Sequence, residues 1–135
     1  MRVLLDTSGW IELLAGTERA GLFEPALKAD RLLVPAIVRY EVGRYLLAHS
    51  DESRRTLALQ ALGKFEQIPL NSPIADQAAI LGARHKLAMA DALIYAVACL
   101  HEAELWTQDR HFENLPDVCF FEKKTSHSTE LKTPS

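Results

Sequence analysis

Asp6, Glu41, Asp91 and Asp109 are far apart in a chain of 135 residues, yet each stands where an apolar run ends or a helix begins. Asp6 closes Val3-Leu4-Leu5, Glu41 follows Leu32-Leu33-Val34-Pro35-Ala36, Asp91 opens a long apolar helix, and Asp109 follows Leu105-Trp106-Thr107. In open parallel sheets, sites form beyond the carboxyl ends of the strands, so an α/β fold gathers such positions at one sheet edge. Carboxylates that close repel one another unless a cation lies between them, which points to a divalent metal. Hard oxygen donors without a histidine or thiolate companion select Mg²⁺ or Mn²⁺ over zinc. The histidines at 49, 85, 101, 111 and 127 show no His-Glu-x-x-His or similar spacing and read as surface residues rather than ligands. A divalent ion makes water a better nucleophile and offsets charge at a phosphoryl centre, the chemistry of phosphodiester hydrolysis. Acids at helix N-termini also complement the macrodipole, by about 0.3–1 kcal/mol each. That reading suffices for Asp91 alone but gives no reason for acids at two strand ends. Thr7, Ser8 and Thr107 are placed to hydrogen-bond the carboxylates or the metal's waters, although a hydroxyl just after a strand is more often a cap.

The elements that must position these groups follow from periodicity. Arg2 to Leu5 is a short apolar strand, and Asp6-Thr7-Ser8-Gly9 starts a helix through Trp10, Ile11, Leu13 and Leu14 that Gly16-Thr17 breaks. A weaker helix through Leu22, Phe23, Ala26 and Leu27 ends near Asp30, and Arg31 to Val34 is the second strand. Pro35 suits the first turn of a helix carrying Val38, Val42, Tyr45 and Leu46, with Glu41 in that turn. Leu57 to Phe65 is a further helix, and Gln67 to Leu70 a third strand. Ser72 is read as the N-cap of a helix with Pro73 at its first position and a stripe of Ile74, Ala78, Leu81 and Leu87. The helix from Met89 is apolar on nearly all sides from Ala92 to Leu100, the mark of an element packed between others. Glu104 to Gln108 and Asp117 to Phe121 complete five strands. Strands alternating with helices imply a parallel sheet between helical layers.

The composition sets bounds. This length makes one domain, able to bury roughly two-thirds of its unfolded surface. A net charge of −3 and a pI near 5.9 argue against a sequence-independent DNA coat but leave nucleic acid possible as a substrate. Cys99 and Cys119 sit in apolar contexts and read as reduced core residues. The chain opens directly on a strand, with no charged n-region and no apolar run long enough to span a bilayer, so a soluble cytoplasmic protein with no membrane partner is expected. Residues 1–122 form the expected domain, and the polar, aperiodic stretch 123–135 a loose, disordered tail.

Four ordered motifs carry a resemblance. Val3-Leu4-Leu5-Asp6-Thr7-Ser8, then Val34-Pro35-Ala36-Ile37-Val38 leading to Glu41, Ala90-Asp91-Ala92-Leu93-Ile94-Tyr95-Ala96, and Leu105-Trp106-Thr107-Gln108-Asp109-Arg110-His111-Phe112 resemble the motifs of PIN domains, most closely the VapC-type toxins of toxin–antitoxin pairs. The resemblance spans residues 2 to about 121. It implies a PIN-like three-layer α/β fold with a five-stranded parallel sheet flanked by helices. It also implies a Mg²⁺- or Mn²⁺-dependent endoribonuclease, usually a homodimer, held inactive by a cognate antitoxin whose helix inserts a basic side chain among the acids. Asp6, Glu41, Asp91 and Asp109 match the family's acidic quartet; the fourth acid often binds metal indirectly or not at all. A housekeeping RNA-processing nuclease and a non-catalytic metal-binding partner protein are the alternatives. Asp6-Thr7-Ser8-Gly9 partly matches the Asp-Thr-Gly loop of aspartic proteases, but the glycine is displaced and the pattern is not their β fold. A phosphoacceptor receiver domain needs a lysine near a late strand, where this chain has Thr107-Gln108-Asp109. Trp10, Leu13, Leu14, Tyr40, Tyr45, Leu46 and Leu47 exceed what one core-facing stripe requires, and any left exposed suits an antitoxin helix or partner subunit. Arg39, Arg44, Arg84, Lys86, Arg110 and His111 lie near the acidic motifs in sequence and could carry RNA phosphates towards the metal, although each singly reads as a solvated charge.

Overall fold

The computed structural model describes residues 1–123. Five parallel strands, β1 (Arg2–Leu5), β2 (Arg31–Pro35), β3 (Glu66–Ile68), β4 (Glu104–Thr107) and β5 (Val118–Phe120), lie in the order β3-β2-β1-β4-β5. Six helices flank them: α1 (Thr7–Ala15), α2 (Ala20–Phe23), α3 (Ala36–His49), α4 (Glu52–Leu62), α5 (Ser72–His85) and α6 (Met89–Leu100). The strand order reverses between β1 and β4, which makes the gap above their carboxyl ends the topological switch point. The central strands are covered on both faces and, Thr107 apart, apolar beyond their first residue, and Val3, Leu4, Leu5, Leu33, Val34 and Leu105 are fully buried.

The local reasons for the elements are mostly those of the sequence. Asp6 caps α1 by accepting from Gly9 N at 3.0 Å, and Gly16 ends the helix in the left-handed conformation at φ 64°. Gly9 leaves no room for a side chain, since a Cβ there would lie 2.4 Å from Leu5 Cδ1 and 3.0 Å from Phe23. The start of α1 is therefore held hard against the end of β1. Along α6 the side chains from Ala92 to Ala98 are all buried, as expected of a central helix, and α5 packs along it.

Several expectations need correction. The weak helix after Gly16 is split into α2 and a 3₁₀ segment, Glu24–Lys28, because Pro25 removes a backbone donor. Asn71, not Ser72, is the N-cap of α5, accepting from Ile74 N at 3.0 Å, so Ser72 and Pro73 fall in the first helical turn. Leu87 lies beyond α5, which Lys86 ends at φ 56°. The fourth helix spans Glu52–Leu62 and so ends before Phe65. The cysteines are not core residues: Cys99 is exposed and Cys119 half-buried. The apolar run of α6 outlasts the layer that covers it, leaving Cys99 and Leu100 past the last buried position, Ala98. The expected tail lies, from residue 124 onward, outside the described residues. Among the described residues no helix is long and apolar enough to cross a membrane.

Candidate active site

Asp6 follows the last residue of β1 and Asp109 stands two residues past β4, so neighbouring strands deliver them to the switch point. Asp6 is 4 % exposed, and its carboxylate is held on both sides. Ser8 Oγ donates to Oδ1 at 2.8 Å beside Gly9 N, and Thr107 Oγ1 donates to Oδ2 at 2.5 Å. Thr107, fully buried at the end of β4, also accepts from Asp109 N at 2.9 Å. One hydroxyl therefore ties the first acid to the backbone of the fourth. Burial pushes the Asp6 carboxyl up from 3.8 to about 6, against the lowering pull of its hydrogen bonds, and the negative charge of Asp109 adds to the rise.

Asp91 lies in the first turn of α6 and is also held above the usual carboxylate range, by burial first and by Asp109 in addition. Its Oδ2 is 2.9 Å from His111 Nδ1. Glu41 is in the second turn of α3 rather than the first, because the helix begins at Ala36 with Pro35 as its cap. Thr7 Oγ1 donates to Glu41 Oε1 at 2.6 Å and so joins α3 to the residue that follows Asp6. All three expected hydroxyls thus contact an acid: Thr7 reaches Glu41, while Ser8 and Thr107 reach Asp6.

His111 is exposed, as expected of a surface histidine, but it stands against the acids. Asp109 caps the 3₁₀ turn Arg110–Phe112 by accepting from His111 N at 2.9 Å, and this Asp-x-His turn swings the ring back so that Nδ1 is 3.3 Å from Asp109 Oδ1. The acids have an imidazole companion. Among the described residues, Asp91, Asp109 and His111 form the one group of three metal-capable side chains whose ligand atoms lie within 4.8 Å of one another. The hydrogen bond that His111 donates to Asp91, and the charges of both acids, raise the His111 pKa. Missed altogether was Gln108, which is buried. It accepts from Arg19 Nε and donates to Glu12 Oε2, both at 2.5 Å, and Arg19 also donates to the carbonyls of Phe121 and Glu122. Only its place between two site residues hinted at it. Of the cations expected nearby, Arg110 pairs with Glu113 and Glu122, and Arg44 lies over the Tyr40 ring.

The family model of the PIN domain matches residues 3–118, most of the chain. The chain belongs to the PIN domain family. Solved structures agree with this PIN fold. A toxin–antitoxin complex from Klebsiella pneumoniae aligns at 28% identity with a TM-score of 0.80, covering 90% of this chain and 99% of that one. VapBC2 from Rickettsia felis, bound to a DNA fragment from its promoter, aligns at 16% identity and TM-score 0.73 over 92% and 100%. VapC20 of Mycobacterium tuberculosis, described as a sarcin–ricin loop cleaving toxin, aligns at 18% and 0.65 over 93% and 94%. The last two likenesses speak for the fold alone. No curated protein matches the PIN chain significantly.

Proposed function

We propose that the chain is a metal-dependent endoribonuclease that hydrolyses RNA phosphodiesters, the toxin of a toxin–antitoxin pair acting in the cytoplasm. The observation that carries this reading is the meeting of Asp6, Asp91 and Asp109 at the switch point, with Asp6 and Asp91 both held above the usual carboxylate range. A divalent cation would offset the mutual repulsion of such a cluster. The donors fit Mg²⁺ or Mn²⁺: Asp6, Asp91 and Asp109 would hold the ion, and Glu41 is tied through Thr7 to the residue next to Asp6. When bound, such an ion supplies an activated water and offsets charge on the phosphoryl group and leaving oxygen. The chain's own groups do the positioning. Ser8, Gly9 and Thr107 set the Asp6 carboxylate, Thr7 sets Glu41, and Thr107 registers the Asp109 backbone against Asp6.

A protein partner suits the surface beside α1. Leu13, Leu14, Leu27 and Phe65 line a shallow, mainly apolar groove of about 520 Å³ over the buried Trp10, whose Nε1 has no hydrogen-bond partner. We assign this groove to a cognate antitoxin helix that reaches on towards the acids with a basic side chain. Tyr40 and Leu47, 57 % and 62 % exposed on α3, suit a second copy of the chain in a homodimer. The likeness to the Klebsiella complex supports the antitoxin. The deciding experiment is an RNA cleavage assay with purified protein: cutting is expected with Mg²⁺ or Mn²⁺ and none in excess EDTA. Cleavage that persists in chelator sinks the reading, and metal binding without any cleavage points to the non-catalytic alternative.

A further inference from the structure

The His111 ring is 68 % exposed, and its Nδ1 faces Asp91 Oδ2 at 2.9 Å and Asp109 Oδ1 at 3.3 Å. Its place is set by the backbone as well as by the ring. The His111 amide is held by Asp109, and the next residue, Phe112, is 1 % exposed and anchors the 3₁₀ turn in the core near Tyr95. Nδ1 therefore stands at the acids in a turn that has little freedom to carry it elsewhere. Donors about one small divalent ion, with bonds of about 2.1 Å, are separated by up to about 4 Å, close to the spread of this trio.

We infer that His111 supplies a nitrogen donor to the divalent ion of this site and shifts its preference from Mg²⁺ towards Mn²⁺ and Co²⁺. The inference rests on the acids being a metal centre, as proposed above. Mg²⁺ keeps its waters and takes oxygen, whereas imidazole suits the transition ions, whose affinity for nitrogen sites rises from Mn²⁺ to Co²⁺. An all-oxygen site shows the same order with a weaker bias. His111 would then be the residue that sets which divalent ion the acids prefer.

Calorimetric titration of the full chain with Mg²⁺, Mn²⁺ and Co²⁺ tests this, comparing wild type with His111→Gln. The variant keeps a polar group on an exposed position, and an unchanged melting curve checks its fold. The Mn²⁺-to-Mg²⁺ affinity ratio is expected to fall about tenfold or more as the site loses its nitrogen donor, at least the scale of losing an outer partner of the ligands. The visible absorption of bound Co²⁺ should change in the same variant as nitrogen is replaced by oxygen. An unchanged ratio and spectrum overturn the inference while leaving the nuclease reading intact. A uniform gain in affinity for all three ions also overturns it, since the imidazole would then be a counter-charge that metal displaces. Wild type that binds none of the three ions and cuts no RNA removes the metal centre itself.

Discussion

Asp6 is the residue on which stability and chemistry oppose each other. Its folded pKa of about 6 exceeds its ordinary 3.8, so the folded state holds the proton more tightly than the unfolded chain does. The contribution is fully present below about pH 4, declines as pH rises through the interval, and is gone above about 6; ionisation then costs on the order of 2–3 kcal/mol. Asp6→Asn escapes that cost, keeps an acceptor for Gly9 N, and turns its amide towards Thr107. In EDTA the variant should melt no lower than wild type, with an advantage at pH 7 that vanishes near pH 4 in a pH series of melts. A variant that melts far lower yet still cuts RNA would mean that Asp6 holds the fold rather than a metal. Asp91→Asn tests the other face of the site. Saturating Mn²⁺ at a hundredfold excess over its dissociation constant should stabilise wild type by about 2.7 kcal/mol and the variant much less, with cleavage lost. Melts with and without metal, run beside a cleavage assay, decide it.

Short elements carry the site, so small changes in them should be felt at the acids. Gly9 lets α1 begin directly on β1, and a methyl there meets Leu5 Cδ1 and Phe23. Gly9→Ala should cost about 1–3 kcal/mol, the usual penalty of overpacking, and should lower cleavage, because the helix that starts at Asp6 must shift. Urea unfolding and initial rates check both; a variant as stable and active as wild type would show that α1 has slack. Away from the site, Asn71→Ala removes only the α5 cap and should cost about 1 kcal/mol with cleavage unchanged. The same elements show what periodicity can and cannot deliver. Strands as uniformly apolar as Val3-Leu4-Leu5 and Leu32-Leu33-Val34 are legible because burial on both faces leaves no other composition. Cap identity was missed at Asn71, since Asn, Ser and Pro in succession offer two cap positions and only backbone geometry chooses between them. Glu41 slipped from first turn to second for the same reason, the helix start being set by Pro35 in the last position of β2.

At the scale of the whole molecule, the partner reading makes a direct claim. Co-expression with the protein encoded beside this chain should yield a complex with RNA cleavage suppressed, and proteolysis of that partner should restore it. A chain that expresses harmlessly, purifies alone and cuts RNA would instead be a housekeeping nuclease. The parallel five-stranded sheet and the acids at its edge were readable from the sequence, because an apolar run ending in a carboxylate states both where a strand stops and which edge the charge must occupy. The strand order was not, since any parallel order accepts the same apolar strands; pairing of β1 with β4 placed Asp6 and Asp109 at the switch point. Thr107 was legible as a hydroxyl near the carboxylates but not which acid it reaches, and the contacts of Gln108 and His111 were not legible at all. A hydroxyl, an amide and an imidazole have many partners available along a chain. Only the packing of β4 beside β1, with α6 alongside, left Thr107 facing Asp6, Gln108 between Glu12 and Arg19, and His111 over Asp91.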